Sequence, residues 1–163
     1  MKKILLLSDT HSCMDPWIIK HVRQADEVWH AGDIGSGEVV DKIEKITVLR
    51  AVTGNIDGQE LRMRFPGMQY FECEGAKVYM THIGGYPGRY RPHVKKFIAS
   101  HRVDIFISGH SHILKVMYDE SHGLLHMNPG AAGKYSFHKR RTMLRFSLHQ
   151  SQIKDLEIIE MTK

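Results

Sequence analysis

The sequence has few cysteines and no long hydrophobic run, and these two absences exclude several classes of protein. Only two cysteines, Cys13 and Cys73, occur in 163 residues. They are too few and too far apart for a disulfide framework or a zinc knuckle, so we expect a reducing compartment, the cytoplasm. The opening MKKILLL imitates a secretory signal, but its apolar run ends at Ser8. No run approaches the roughly 20 apolar residues that a membrane helix requires, so we expect no membrane association.

Basic residues are in excess, but they are not concentrated. The formal net charge is +5, and the densest basic cluster, residues 138–141, leads directly into a strand pattern. Such a cluster indicates a solvated face more than a nucleic-acid tract, so we do not expect a nucleic-acid partner. A nuclease remains an alternative, and the absence of salt-sensitive binding to DNA or RNA would eliminate it.

The hydrophobic pattern divides the chain into two halves that differ in predicted secondary structure. Up to about residue 54, three short buried-strand patterns alternate with two helical patterns. This βαβαβ order is typical of a parallel sheet with right-handed crossovers. From about residue 68 the patterns are strand-like, apart from one helical pattern at residues 91–101. We expect one domain over residues 1–163, built from two packed sheets with helices outside.

Side chains that can bind metals follow five of the predicted strands. In an open α/β sheet the residues just after each strand share one crevice. Seven candidate ligands occupy such positions: Asp9, His11, Asp33, Asn55, His82, His110 and His112. Taken singly, each favours a structural interpretation as a turn or as a core hydrogen bond. A purely structural explanation does not account for all seven at one edge.

The spacing and chemistry of these residues indicate more than one ion. Two pairs, in SDTH and in GHSH, have i, i+2 spacing, which places both side chains on the same side of an extended segment. The glycines at 32, 54 and 109 leave room for the backbone to approach a bound ion or a phosphate. Seven ligands exceed a tetrahedral zinc site and suit two ions if one carboxylate bridges. The nitrogen and oxygen donors are compatible with manganese, iron, zinc, nickel or cobalt and argue against calcium.

The ordered motifs SDTH, AGD, TGN, TH and GHSH, spread over residues 8–112, resemble the calcineurin-like metallophosphoesterase superfamily. The short length and compressed spacings resemble its small single-domain phosphodiesterase branch, which includes the retromer scaffold subunit. The resemblance implies a four-layered α/β/β/α sandwich of two mixed sheets flanked by helices. It also implies two divalent metal ions, with manganese favoured, and hydrolysis of a small phosphodiester by a hydroxide that both ions activate.

The resemblance further implies a role for each candidate ligand. The expected ligands are Asp9, His11 and His112 for one ion, Asn55, His82 and His110 for the other, and Asp33 as the bridge. Asp33 and Asn55 would also position the hydroxide and the phosphate. Two ions supply four positive charges, and two carboxylates with a hydroxide supply three negative ones. The remaining positive charge complements a phosphodiester monoanion.

Ile56 departs from the pattern of the superfamily, in which many members read GNH at this loop. That histidine is taken to protonate the leaving oxygen, whereas an isoleucine has no proton to give. A positioned general acid contributes roughly 10²- to 10⁴-fold, so its loss should matter most for poor leaving groups. We therefore expect activity on activated diesters to exceed activity on monoesters. Tyr86, His138 or a water molecule remains open as a replacement acid.

Other neighbouring residues have competing interpretations. Asp57 could orient a ligand, but DGQE fits a helix capping box, and the cap is favoured. His30 could support the site or be a buried structural histidine. The loop before Pro92 could bring Arg89 or Arg91 to a phosphate, although a plain connection is favoured.

Two questions stay open at the level of function. A non-catalytic metal-binding scaffold of the retromer-subunit type is the alternative to an enzyme, and the retention of all seven ligands argues against it. Cyclic nucleotides, dinucleotide-type diesters and phospholipid diesters are all candidate substrates. The strand pattern at residues 152–160 could form an exposed edge for self-association into a homo-oligomer.

Overall fold

The computed structural model describes all 163 residues, and they form ten β-strands and four α-helices with connecting loops. The strands are β1 (Lys2–Leu7), β2 (Glu27–His30), β3 (Val48–Ala51), β4 (Met68–Cys73), β5 (Ala76–Thr81), β6 (Ile105–Ile107), β7 (Leu114–Asp119), β8 (Leu124–Pro129), β9 (Arg140–His149) and β10 (Gln152–Thr162). The helices are α1 (Pro16–Val22), α2 (Gly37–Glu44), α3 (Gln59–Arg64) and α4 (Pro92–Ser100). No helix is long and apolar enough to cross a membrane.

Two five-stranded mixed sheets pack against each other, and helices cover their outer faces. The first sheet has the order β10-β9-β1-β2-β3, with β1, β2 and β3 parallel. The second sheet has the order β4-β5-β6-β8-β7, with β5, β6 and β8 parallel. The predicted four-layered α/β/β/α sandwich is therefore confirmed.

The alternation of side chains along β1 shows how the sequence builds these layers. Ile4 and Leu6 belong to the core between the two sheets, whereas Leu5 and Leu7 pack with the residues of α1 and α2. This follows from the two-residue period of a strand, because successive side chains point to opposite faces. All four are fully buried, and burying each contributes roughly 1.5–3 kcal/mol. On the far side, α4 covers the second sheet through Val94.

A partly buried ion pair fixes the loop between β1 and α1, which carries two of the candidate ligands. Asp15 caps α1 by accepting a hydrogen bond from the amide of Ile18. The same carboxylate accepts from the guanidinium of the buried Arg141 at 2.7 and 3.2 Å. Burial opposes ionisation of Asp15, but Arg141 holds the pKa of this carboxyl below its usual range. The loop after β1 is thereby tied to β9.

Candidate metal centre

All seven candidate ligands lie in one crevice, beyond the carboxyl ends of β1, β2, β3, β5 and β6. Six of the side chains form two triads, and within each triad the possible ligand atoms lie within 4.8 Å of one another. The first triad is Asp9, His11 and His112, and the second triad is Asp33, His82 and His110. The side-chain oxygen of Asn55 lies 3.1 Å from His82 Nε2 and 3.0 Å from His110 Nδ1. Asn55 therefore belongs with the second triad.

The two triads are adjacent, and the carboxylates lie between them. Asp33 Oδ2 is 3.3 Å from His82 Nε2 in its own triad and 3.5 Å from His11 Nε2 in the other. Asp9 Oδ1 is 3.2 Å from His112 Nε2 and 3.9 Å from His82 Nε2. One oxygen of Asp33 thus faces nitrogens of both groups.

The extended geometry predicted for the SDTH and GHSH segments is wrong. Five of the seven candidates have left-handed backbone angles, with φ of 54° at Asp9, 45° at His11, 56° at Asp33, 72° at His110 and 64° at His112. Such conformations cost on the order of 1–3 kcal/mol each and concentrate at functional sites. The left-handed turns send the two histidines of GHSH to different triads. The i, i+2 spacing therefore does not produce paired ligation there.

Backbone hydrogen bonds hold the loops after β1 and β2 against each other. The amide of Asp9 donates to the carbonyl of Gly32 at 2.9 Å, and the amide of His11 donates to the carbonyl of Asp33 at 3.1 Å. A Cβ atom on Gly32 would lie 2.6 Å from His82 Nδ1, and one on Gly54 would collide with the Asp33 carboxylate. These two glycines make room for the candidate ligands themselves.

The predicted capping role of Asp57 is also wrong. Helix α3 is capped by Gly58, without a side-chain hydrogen bond. The Asp57 carboxylate is only 3% exposed and accepts from the backbone amides of residues 34, 35 and 54 at 3.1, 2.9 and 2.8 Å. A buried carboxylate needs such donors, and these three tie the loop after β2 to the loop after β3. DGQE satisfies the capping pattern equally well, so the sequence contains no signal for this role.

His30 lies beside the triads as a buried structural side chain. The amide of Gly32 donates to His30 Nδ1 at 3.1 Å, which leaves the ring proton on Nε2 for the hydroxyl of Thr10 at 2.9 Å. The Thr10 hydroxyl in turn donates to the carbonyl of Ile34 at 2.9 Å. Burial lowers the pKa of His30 to about 4. The ring therefore stays neutral, and its two nitrogens connect the loop after β2 to the loop after β1.

The orientation of His82 creates a set of converging lone pairs. Its Nδ1 lies 2.7 Å from the carbonyl of Ala31 and donates to it. In the neutral form of the ring, Nε2 then presents a lone pair to Asp33 Oδ2 and to the Asn55 oxygen. In the first triad, Asp9 Oδ1 and His11 Nε2 are buried without any hydrogen-bond partner. Acceptors that face acceptors in this way need a proton or a cation between them, and either a protonated His82 or a bound metal ion would supply it in the second triad.

The electrostatics of the crevice favour positive charge between the carboxylates. Burial opposes the charged form of His82, but Asp33 and Asp9 raise the pKa of this imidazole above its ordinary range. Burial likewise opposes ionisation of Asp9, but His11 and His112 hold the pKa of Asp9 well below its usual range. The residues present therefore fit two cations, and the mixed nitrogen and oxygen donors suit divalent transition metals.

Two small cavities border the second triad, and further polar residues line them. One, of about 260 Å³, is lined by residues that include Asn55, Arg62 and His93. The other, of about 240 Å³, is lined by residues that include Tyr86 and Arg91. The Tyr86 hydroxyl is hydrogen-bonded to Ser111, between the two histidines of GHSH. The connection before α4 therefore contributes side chains to the crevice as well as linking β5 to the helix.

Comparisons with known proteins agree with this architecture. A family model described as the calcineurin-like phosphoesterase superfamily domain matches residues 1–151. A Mycoplasma pneumoniae protein named probable metallophosphoesterase is 30% identical over 163 residues, which cover 96% of each chain. An archaeal phosphodiesterase structure matches with a TM-score of 0.78 at 23% identity, over 98% of this chain and 99% of that one. Vps29 of Entamoeba histolytica complexed with zinc matches with a TM-score of 0.74 at 16% identity, over 98% of both chains. At these identities the two solved structures establish a shared fold alone.

Proposed function

Because the chain belongs to the calcineurin-like phosphoesterase superfamily, we propose that it is a metal-dependent phosphodiesterase acting on a small substrate. The observation that carries this proposal is the pair of adjacent triads whose lone pairs converge around Asp33. Each triad would hold one divalent cation, with Asn55 completing the second set and Asp33 serving both. Manganese is the proposed metal, and iron, zinc, nickel and cobalt suit the same donors.

The ligand set also determines which substrate charge the site attracts. When bound, two divalent ions supply an activated nucleophile and stabilise charge on the phosphate oxygens. The chain sets only the carboxylates of Asp9 and Asp33 against the four positive charges of such a pair. The other five candidates, four imidazoles and an amide, are neutral. The site therefore keeps an excess of positive charge, which complements a phosphodiester anion.

The residues around Ile56 bear on the choice of leaving group. Hydrolysis adds water to phosphorus while the leaving oxygen departs with its bonding electrons and needs a proton or a stable negative charge. The amide of Ile56 donates to Asp33 Oδ1 at 3.1 Å, so its backbone positions this carboxylate. Its side chain is 47% exposed and has no proton to give. We therefore propose that esters of acidic alcohols, such as aryl diesters, are hydrolysed faster than alkyl monoesters.

Hydrolysis of bis-p-nitrophenyl phosphate tests this function. Protein treated with EDTA and dialysed should be inactive and should gain turnover when manganese is added, with about two metal ions bound per chain. The monoester p-nitrophenyl phosphate should be the poorer substrate of the two. Binding of two ions without any metal-stimulated turnover would contradict the proposal and favour a metal-binding scaffold.

A further inference from the structure

A third cavity, of about 360 Å³, opens over the first triad. It is lined by His11, His112 and residues 134–137, which we call the aromatic loop: Lys134, Tyr135, Ser136 and Phe137. The ring of Tyr135 stacks on the imidazole of His11, with centroids 5.5 Å apart and planes inclined by 29°. Tyr135 is nonetheless 76% exposed, and Phe137 is fully exposed. Two aromatic rings therefore border the candidate metal centre without being packed into the core.

Hydrogen bonds hold the aromatic loop at this place. The amide of Gly133 donates to the carbonyl of Asp9 at 3.1 Å, so the loop starts directly beside a candidate ligand. A Cβ atom on Gly133 would collide with the backbone of Thr10, which shows how closely the two segments approach. Further along, Lys163 Nζ donates to the carbonyl of Ser136 at 2.6 Å. The loop is thus attached at its base to the segment after β1 and at its tip to Lys163, directly after β10.

The chemistry of the aromatic loop matches a ligand with both a ring and a negative charge. Exposed aromatic rings gain little from the fold, because most of their surface stays in water. Stacking of a base on such a ring is worth roughly 1–3 kcal/mol, whichever base it is. Lys134 lines the same cavity, and its side chain is 68% exposed. Its ammonium, 4.0 Å from the Asp15 carboxylate, lies near the opening.

We propose that Tyr135 and Phe137 form a stacking subsite for the planar aromatic group of a nucleoside or phenol that is esterified to the phosphate held at the triads. This proposal rests on the proposed function and narrows its substrate class to nucleotide or aryl phosphodiesters. A nucleobase and a phenyl ring offer the same flat apolar face to the two side chains. Phospholipid diesters without an aromatic group do not use this cavity.

The subsite is tested by binding rather than by turnover. We compare AMP with ribose 5-phosphate by calorimetry on manganese-loaded protein, since AMP carries a base where ribose 5-phosphate carries its anomeric hydroxyl. Wild-type protein should bind AMP about 5- to 150-fold more tightly, the range that corresponds to one stacked base. Tyr135→Ala and Phe137→Ala should each remove about 5-fold or more of this preference and leave ribose 5-phosphate binding unchanged. Phenyl phosphate measured against methyl phosphate shows whether a phenyl ring gives the same gain as a nucleobase.

Two further variants control for general effects on the protein. Tyr135→Phe keeps the ring and should keep the preference for AMP. Tyr118→Ala removes an aromatic side chain that is 58% exposed, near the end of β7 that is farther from His112, and should change neither affinity. Equal binding of AMP and ribose 5-phosphate by wild-type protein, or full preference in both alanine variants, would overturn the subsite.

Hydrolysis of bis-p-nitrophenyl phosphate by the same wild-type preparation separates the two proposals. Hydrolysis without a preference for AMP removes the subsite and keeps the phosphodiesterase. A preference for AMP that Tyr135→Ala abolishes, in protein that does not hydrolyse the diester, keeps the subsite and removes the phosphodiesterase.

Discussion

The two sheets supply different chemistry to the crevice between them. The loops after the strands of the first sheet carry every oxygen donor, in Asp9, Asp33 and Asn55, and only one imidazole. The loops after the strands of the second sheet carry imidazoles alone, in His82, His110 and His112. The charged side chains of the candidate metal centre therefore come from the first sheet, and most of its neutral side chains come from the second.

This separation explains why the surroundings of the two sheets differ. Buried carboxylates require donors, and Asp9 Oδ2 accepts from the Ser8 hydroxyl at 2.6 Å and from the His110 amide at 3.1 Å. Neutral imidazoles need fewer hydrogen-bond partners than buried carboxylates do, so the second sheet can place aromatic side chains beneath its loops. His126 on β8 contacts the rings of Phe106, Tyr86 and Tyr90 there. At the crevice, polar contacts hold the loops of the first sheet, whereas aromatic rings pack behind those of the second.

Asp33→Asn should have the largest effect, because it removes the charge that both triads face. Loss of an outer-shell partner of a metal ligand costs about 10- to 100-fold, so loss of the carboxylate proposed to serve both ions should lower turnover by more than about 100-fold. His110→Gln, which removes one neutral donor of the second sheet, should cost less. Turnover of bis-p-nitrophenyl phosphate and metal content by mass spectrometry measure both.

Asp155→Asn serves as the matched control for Asp33→Asn, because it makes the same charge change at an exposed position on β10. It should leave turnover and metal content unchanged. Equal losses for Asp33→Asn and His110→Gln would contradict the division of charge between the sheets.

Acid should destabilise the aromatic interior of the second sheet through His126. This ring is fully buried, neither of its nitrogens has a hydrogen-bond partner, and burial lowers its pKa from 6.5 to about 4. Because the pKa of His126 is lower in the folded state, the neutral ring contributes its full stabilisation above pH 6.5, and this stabilisation is lost as the pH falls through about 4. The shift corresponds to about 3 kcal/mol.

Urea unfolding of the metal-free protein at pH 7, 5 and 4 measures this loss. His126→Phe keeps a ring of similar size without a titrating group, so its free energy of unfolding should fall by about 3 kcal/mol less over the same range. The charged neighbours Lys115 and Asp119 are present in both proteins. The difference between the two curves therefore isolates the imidazole, and parallel curves would show that it contributes nothing.

Asp57→Asn tests the polar anchoring of the first sheet. The substitution keeps the shape but replaces one carboxylate oxygen by an amide donor that faces backbone donors. Hydrogen bonds to a charged group are worth about 1.5–3 kcal/mol, so unfolding should be easier by about 2–3 kcal/mol. Turnover should fall by about 10- to 100-fold, because the loops that carry Asp33 and Asn55 lose their common anchor.

Asp41→Asn, on the exposed face of α2, is the control for Asp57→Asn. Its carboxylate also accepts a hydrogen bond, from Arg64 at 3.1 Å, but at the surface, so the free energy of unfolding should change by less than about 1 kcal/mol. A comparable loss at both positions would mean that the burial of Asp57 is not the cause.

The sequence was sufficient to predict the layers and the strand ends at which the candidate ligands lie. Strand and helix periods are local properties, and strand ends in a parallel arrangement necessarily meet at one edge. That rule groups residues within one sheet, whereas Asp9 follows a strand of the first sheet and His112 follows a strand of the second, so the packing of the two sheets brings these two residues into one crevice. The resemblance added a grouping of ligands, with Asp33 as a bridge and Asn55 beside His82 and His110; the structure brings Asp9, His11 and His112 together and places Asp33 with His82 and His110, and the binding of two ions stays a prediction.

The errors arose where long-range contacts outweigh local rules. The left-handed backbone at Asp9 and His11 depends on carbonyl groups of the loop after β2, more than twenty residues away. Asp57 satisfies a helix-capping rule in its own neighbourhood, yet its carboxylate binds amides 22 and 23 residues earlier in the chain. The position of Tyr135 over His11 likewise depends on contacts at the base of its loop. No local pattern encodes these pairings.

Ile56→His should have the smallest effect and tests the least expected residue of the first sheet. Its amide would still donate to Asp33, and the new imidazole would stand at a half-exposed position at the rim. If the leaving oxygen lacks a proton donor in the native protein, turnover of p-nitrophenyl phosphate should rise about tenfold relative to the diester. That is less than the roughly 10²- to 10⁴-fold of an evolved acid, since nothing nearby has been selected to orient the ring.

Ile56→Gln distinguishes proton donation from polarity in this experiment. The amide side chain is polar and similar in length but does not titrate, so the ratio of monoester to diester turnover should stay close to that of the native protein. The gain with histidine should also diminish above the pKa of its imidazole, because only the protonated ring can donate to the leaving oxygen. An equal rise in both variants, independent of pH, would assign the change to polarity at the rim and leave Tyr86, with its hydroxyl beside Ser111, as the proton donor to test next.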